Sequence, residues 1–286
     1  MVSSHYYVPQ AARWPIGLSA GLFILLVGVS IALNGGSIGS ILMVAGLAIV
    51  LAMVAAWFHE VIGESVRGTY HAAEDNSFRM GMLWFIISEV AFFACFFGAL
   101  FYLRQLAVPW LGGEGTGFFT NHLLNPDFEA AWPTNGPEQL GGNFQAMGWQ
   151  GLPIINTLIL LSSSVTITIA HHALRAGHRN QLTFWLLATV VLGFAFLFFQ
   201  VEEYLHAYHD LNLTLESGVY GSTFFMLTGF HGMHVTLGAT MLLIIWLRVL
   251  KGHFQPNHHF AFEAAAWYWH FVDVVWLFLF IFVYIL

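Results

Sequence analysis

The sequence predicts an all-α membrane protein with seven transmembrane helices, and three observations carry this prediction. Of the 286 residues, 58% are hydrophobic and only 8% are charged, whereas a soluble domain has about 25% charged residues. Seven apolar runs are long enough to cross a bilayer, which takes about 20 residues per helix. The few basic residues cluster on one side of these runs, as the positive-inside rule describes.

The apolar runs are joined by short polar segments, apart from one long loop. Asn34-Gly35-Gly36 lies between the first two runs and predicts a helical hairpin. We interpret residues 1–286 as one membrane domain, with helices one and two in 16–58 and helices three to seven in 80–286. The seven runs are 16–33, 38–58, 80–103, 153–173, 182–201, 219–250 and 264–286. The sixth run exceeds what a bilayer needs, so we expect it to tilt or to extend past the surface.

The distribution of the eight Lys and Arg residues predicts the orientation of the chain. If the N-terminus is cytoplasmic, only Arg104 falls on the outer side, so the C-terminus is expected outside. The segment 105–152 is then an extracytoplasmic loop. It is rich in Gly, Pro and Asn with interspersed aromatic residues. We expect a partly ordered cap that packs on its neighbours, with a substrate lid as the alternative.

Composition and motifs argue against several functional classes. The single cysteine, Cys95, excludes an internal disulfide and any cysteine-based metal cluster within the chain. No HExxH, CxxCH or two-His-one-carboxylate pattern occurs among the fifteen histidines. We therefore expect no catalytic residue, metal or other cofactor in this chain. No basic patch suggests a nucleic acid partner.

The last helix carries a line of polar residues. His259, Glu263, His270 and Asp273 are spaced by four, seven and three residues, so they share one helical face. A charged side chain at the centre of a lipid-facing helix costs about 2.5–3.5 kcal/mol. This line must therefore face protein or water, and we expect Glu263 and His270 to make polar contacts between helices.

Glu89 is the most informative single residue, because it lies well inside the third run. About nine residues at 1.5 Å each place it near mid-membrane, and no basic residue of that run can pair with it. One interpretation is a proton-relay acid. The other is a buried, protonated carboxyl that is hydrogen-bonded to a neighbouring helix. His231 and His234 share a helical face, and we expect interhelical hydrogen bonds from both.

Two groups of polar residues are expected at the inner surface. Trp57, Arg67, His71 and Arg248 suit a phospholipid phosphate, since Trp prefers the interface and Arg can reach it. Ordinary interfacial anchoring is the alternative.

A second group consists of titratable residues on the same side. Histidine has an unperturbed pKa of about 6.5 and exchanges protons near neutral pH. Such a surface can collect protons, or it can simply be a solvated face. Its members are His5, His59 and His71, with the acids Glu60, Glu64, Glu74 and Asp75.

Three stretches resemble subunit III of cytochrome c oxidase, the haem-copper terminal oxidase. They are FIISEVAFF at 85–93, GVYGSTFFMLTGFHGMHV at 218–235 and NHHFAFEAAAWYWHFVDVVWLF at 257–278. The segments 57–71 and 156–172 are similar as well. Quinol-oxidase relatives usually lack the first two helices, so a cytochrome c oxidase is favoured and a quinol oxidase subunit III remains the alternative.

The resemblance implies a bundle of helices one–two and three–seven with a V-shaped cleft that holds phospholipids. It implies that haem and copper lie in partner subunits, that subunit I is the direct partner, and that cytochrome c donates electrons through subunit II. The location would be a bacterial or mitochondrial inner membrane. Glu89 matches the family's carbodiimide-reactive glutamate. The family's lipid contacts match Trp57, Glu64, His71 and Arg248. The loop 105–152 is longer than in many members.

Three rival functions follow from the composition alone. A small secondary transporter could use Glu89 and Asp273 as coupling carboxylates, although no internal repeat supports that class. A seven-helix photoreceptor needs a lysine in its last helix, and the single lysine, Lys251, lies in a loop. A self-contained haem or copper enzyme would bind metal as an isolated chain.

Overall fold

The computed structural model describes residues 12–70 and 72–286, and this part of the chain is helical with no β-strand. Seven helices are long and apolar enough to cross a membrane. The predicted fold class and the number of spans are therefore confirmed. The spans are Trp14–Leu33, Gly39–Val66, Ala73–Leu111, Leu152–Arg175, Arg179–His209, Gly218–Leu250 and Phe260–Ile285.

Nine α-helices are present within the described residues, and seven of them begin the seven spans. The helices are α1 (Trp14–Leu33), α2 (Gly39–Val66), α3 (Ala72–Tyr102), α4 (Val108–Leu111), α5 (Phe118–Leu124), α6 (Leu152–Arg175), α7 (Arg179–His209), α8 (Gly218–Leu250) and α9 (Phe260–Leu279). A π-helical turn, Leu103–Ala107, joins α3 to α4, and a second, Phe280–Ile285, extends α9.

The long loop is more helical than its composition suggested. The third span continues past residue 105 to Leu111, through the π-helical turn Leu103–Ala107 and then α4. Helix α5 occupies a further part of the segment that was expected to be irregular. The irregular parts of the loop are therefore a short turn at 112–114 and the longer stretch 125–151.

The described residues up to Met80 form one compact unit, built on the predicted hairpin of α1 and α2. Gly35 turns the chain with a positive φ of 76°. A Cβ at Gly28 would lie 2.5 Å from Met43 N, and one at Gly46 would lie 2.4 Å from Leu25 N. The two helices thus meet at backbone contact, which only small residues permit.

The second compact unit, Gly81–Leu286, contains the large core, and α9 is its most buried element. The indole of Trp269 donates to Ser163 Oγ at 2.8 Å, and that of Trp276 donates to Thr157 Oγ1 at 2.9 Å. Both acceptors lie on α6. Gly193 of α7 leaves room for the Trp269 ring, because a Cβ there would come within 2.8 Å of it. Two indoles therefore fix α9 on its neighbours.

The irregular part of the loop packs on the start of α8, as the expected cap would. The ring of Phe144 stacks on Tyr220 with centroids 5.5 Å apart, and Trp132 contacts the same ring edge-on at 5.6 Å. Gln145 N donates to Leu211 O at 2.9 Å. These contacts hold the cap over one end of the bundle.

Candidate functional site

Glu89 is paired across the membrane interior with a histidine of α8. Its Oε2 lies 2.9 Å from His234 Nε2, with 21% of the Glu89 side chain and 7% of the His234 side chain exposed. The other ring nitrogen, His234 Nδ1, lies 2.6 Å from Phe230 O. The partner that α3 itself lacks is thus supplied by another helix.

The hydrogen bonds of this pair show which ring nitrogen of His234 must carry a hydrogen. A carbonyl oxygen can only accept, so His234 Nδ1 carries a proton. The bond between His234 Nε2 and Glu89 Oε2 then has its hydrogen on one of these two atoms. Either way, one proton is shared between Glu89 and His234. The pair is enclosed by aromatic rings, with Phe93 edge-on to His234 at 5.0 Å and Tyr268 stacked on it at 6.4 Å.

His231 is fully buried and bonds across to the last helix. Its Nε2 lies 3.2 Å from Val272 O, so this nitrogen donates, because a carbonyl only accepts. The ring also contacts Trp276, with centroids 5.1 Å apart, and Phe196, at 5.6 Å. His231 therefore joins α8 to α9.

The four polar residues on one face of α9 lie in different environments. His270 Nδ1 lies 2.7 Å from Ser164 Oγ, which joins α9 to α6. Asp273 is 5% exposed, and its nearest ion-pairing atom is His270 Nδ1 at 3.9 Å. Neither Asp273 oxygen has a hydrogen-bond partner among the described residues. At the start of the helix, His259 Nε2 lies 3.3 Å from His171 Nε2, and Glu263 is partly buried.

Sequence reasoning missed a buried carboxyl on α7. The side chain of Glu203 is 1% exposed and accepts from Tyr284 Oη at 2.5 Å. On the same face, Gln200 Nε2 donates to Thr228 O at 2.9 Å. The available signal was the spacing of Gln200 and Glu203 by three residues within an apolar helix, which predicts a shared inward face.

The candidate lipid contacts are found in both units. In the first unit, Trp57 is 37% exposed, and Glu64 accepts from Tyr70 Oη at 2.5 Å. In the second, Arg248 is only 7% exposed, and its guanidinium lies 4.5 Å over the Phe254 ring. Its Nε has no hydrogen-bond partner among the residues described. His71 lies outside the described residues.

Of the candidate proton-collecting histidines, the structure describes only His59, which is exposed; His5 and His71 lie outside the described residues. The neighbouring acids are mostly engaged: Glu60 accepts from the Trp14 indole, and Asp75 pairs with Arg79 at 2.9 Å. Glu74 was expected on this surface but is 3% exposed and therefore buried. The expected titratable surface is thus smaller than the sequence suggested.

The loop after α8 carries a further histidine. Burial, and then the charges of Arg248 and Lys251, lower the pKa of His253. The C-terminal end of α8 is accordingly a cationic region whose histidine prefers the neutral form.

The described ranges, 12–70 and 72–286, contain no group of three or more His, Cys, Asp or Glu side chains arranged to hold a metal ion. The interior histidines serve helix contacts instead. Fold and site together define a multi-pass helical membrane protein whose intramembrane polar groups mostly join its own helices.

Comparison with known proteins identifies the family. The family model for cytochrome c oxidase subunit III matches residues 4–286. The chain is 39% identical over 280 residues to cytochrome c oxidase subunit 3 of Hippopotamus amphibius, covering 98% of this chain and 96% of that protein. It is 40% identical to the Dugong dugon protein with the same coverage. It is 39% identical over 285 residues to that of Heterololigo bleekeri, covering 99% and 98%. The chain belongs to the cytochrome c oxidase subunit III family.

Proposed function

We propose that this chain is the non-redox subunit of a cytochrome c oxidase that stabilises the catalytic subunit and assists its proton uptake during oxygen reduction. The supporting observation is the family match over residues 4–286. In this proposal, subunit I is the direct partner and carries haem and copper, and cytochrome c delivers electrons through subunit II. The membrane is a bacterial or mitochondrial inner membrane, with the N-terminus on the inner side.

Purification in mild detergent tests this assignment. We expect the tagged chain to bring down haem-bearing partners whose oxygen consumption is driven by reduced cytochrome c. Oxidation of a quinol in place of cytochrome c would indicate the quinol oxidase alternative. A chain that purifies in its folded form without haem would contradict the proposal and favour a transporter.

Phospholipid binding is the first supporting role that we propose. No acceptor among the described residues meets the buried Nε–H of Arg248, so a lipid phosphate that reaches this group could accept its bond. A basic contact to lipid phosphate contributes about 1 kcal/mol near the surface. Trp57 offers a partly exposed indole to a lipid. His71 and Glu64, which match the family's lipid contacts, are included in this proposal.

Lipid counting by native mass spectrometry tests the lipid sites. The Arg248→Ala/Trp57→Ala double variant should retain fewer phospholipids per complex than the parent. Lys251→Ala is the matched control, because it removes an exposed cation three residues from Arg248. An unchanged lipid count in the double variant, or equal losses in the variant and the control, would refute the site.

Proton collection by His5, His59 and His71 is the second supporting role. It predicts that removing this chain slows turnover more at high pH, where protons are scarce, than at low pH. A His5→Gln/His59→Gln/His71→Gln variant should reproduce part of that slowing. His122→Gln, in the loop after the third span, serves as the control. Parallel pH–rate profiles of the complete and depleted complexes would exclude this role.

A further inference from the structure

Helix α5 presents an apolar face that no other described residue covers. Phe118 is 57% exposed, Phe119 69% and Leu123 71%. Positions 118, 119, 122 and 123 lie within one side of a helix at 100° per residue. His122 belongs to this side as well, with its ring stacked on Phe118 at 5.7 Å. The helix itself carries no Asp, Glu, Lys or Arg.

The opposite side of α5 is fastened to the end of the third membrane span. Asn121 Nδ2 donates to Leu111 O at 3.1 Å, and Leu111 is the last residue of that span. The same amide nitrogen lies 2.9 Å from Asn125 O and 3.2 Å from Phe128 O. One side chain thus fixes both the position of α5 at the membrane boundary and the direction in which its apolar face points.

The end of the span to which α5 is fastened exposes apolar side chains as well. Near its end, that span exposes Phe101 by 63%, Leu106 by 53% and Trp110 by 42%. The nearest acids, Glu114 and Asp127, lie before and after α5 and leave the helix uncharged. An apolar helical face at the height of the headgroups is the arrangement of an interfacial membrane anchor.

We propose that α5 is such an anchor, which lies along the bilayer surface with Phe118, Phe119 and Leu123 inserted at the boundary between headgroups and acyl chains. The occupant of this face is then phospholipid. A lipid is favoured over a partner protein because α5 is tied to the end of a membrane span that also exposes apolar side chains near that end. The anchor would fix the base of the cap, which packs on α8 at its other end.

Spin labelling of the assembled complex tests the proposal. Nitroxides are attached at Phe119→Cys and Leu123→Cys in a Cys95→Ser background, with the complex in vesicles of phosphatidylcholine and phosphatidylglycerol. The matched control is Glu138→Cys, an exposed charged position of the same loop. Relaxation by oxygen, which concentrates in lipid, is compared with relaxation by a water-soluble nickel chelate.

We expect the ratio of oxygen to nickel collisions at positions 119 and 123 to exceed that at position 138 several-fold. Equal ratios at the three positions would place the face in water and overturn the proposal. Labels shielded from both reagents would show that a partner subunit covers the face, which overturns it as well. Phe118→Cys provides an independent site on the same side of the helix should either labelled variant fail to assemble.

Discussion

Replacing Gly46 with alanine probes the close contact between α1 and α2. The new Cβ would lie 2.4 Å from Leu25 N and 2.6 Å from Leu25 Cα, whereas ordinary non-bonded contacts are about 3.5–4.0 Å. The neighbour is backbone and cannot rotate away, so the helices must separate by about 1 Å. Overpacking of this kind costs about 1–3 kcal/mol. Gly46→Ala should therefore loosen the hairpin.

Hydrogen–deuterium exchange of the intact complex measures this loosening locally. A change of about 1–3 kcal/mol corresponds to roughly 5- to 150-fold faster exchange in α1 and α2 peptides. Gly98→Ala is the matched control: it brings the same gain in helix propensity, and a Cβ there meets no atom within 4 Å. Exchange in α1 that is no faster in Gly46→Ala than in Gly98→Ala would show that the backbone contact does not constrain the hairpin.

Two further predictions concern buried carboxyls. Glu89→Gln should leave oxygen reduction at neutral pH within a few-fold of the parent, because an amide can still hydrogen-bond to His234; a loss of several orders of magnitude would revive the proton-relay interpretation. Tyr284→Phe removes the donor to Glu203, and an unsatisfied buried acceptor costs about 1–3 kcal/mol, so the complex should lose its haem spectrum at a lower temperature on heating. An unchanged melting midpoint would show that another group satisfies this carboxyl.

The spans could be predicted from the sequence, because a helix that crosses lipid must be both apolar and about 20 residues long. Both properties can be read directly from the sequence. Partners of buried groups could not be predicted in this way. Glu89 sits in a run without a basic residue, and its partner is 145 positions away in the chain. A shared helical face indicated that His231 points inward, but not that it meets Val272 O.

The contacts of the glycines in the helical hairpin could not be predicted from the sequence either. Gly17 and Gly21 form a GxxxG pattern in α1, which is typical of close helix packing, yet Cβ atoms there would first meet the side chains of Met53 and Ile49. The backbone contacts occur at other glycines, such as Gly46, because the crossing point depends on how the two helices are rotated. Arg248 was expected to extend toward lipid. Instead its guanidinium is buried over the ring of Phe254, a residue in the loop that follows α8.

The tryptophans of α9 have a consequence for biosynthesis. Trp269 and Trp276 donate to Ser163 and Thr157 of α6, and a ribosome delivers α6 to the membrane well before α9. During translation, the hydroxyl acceptors on α6 therefore lie in the bilayer without their indole donors until α9 has been synthesised. The bundle closes only after its final helix has left the translocation channel. A truncated nascent chain would leave this polar seam uncovered, which gives membrane quality-control proteases a feature by which to recognise it.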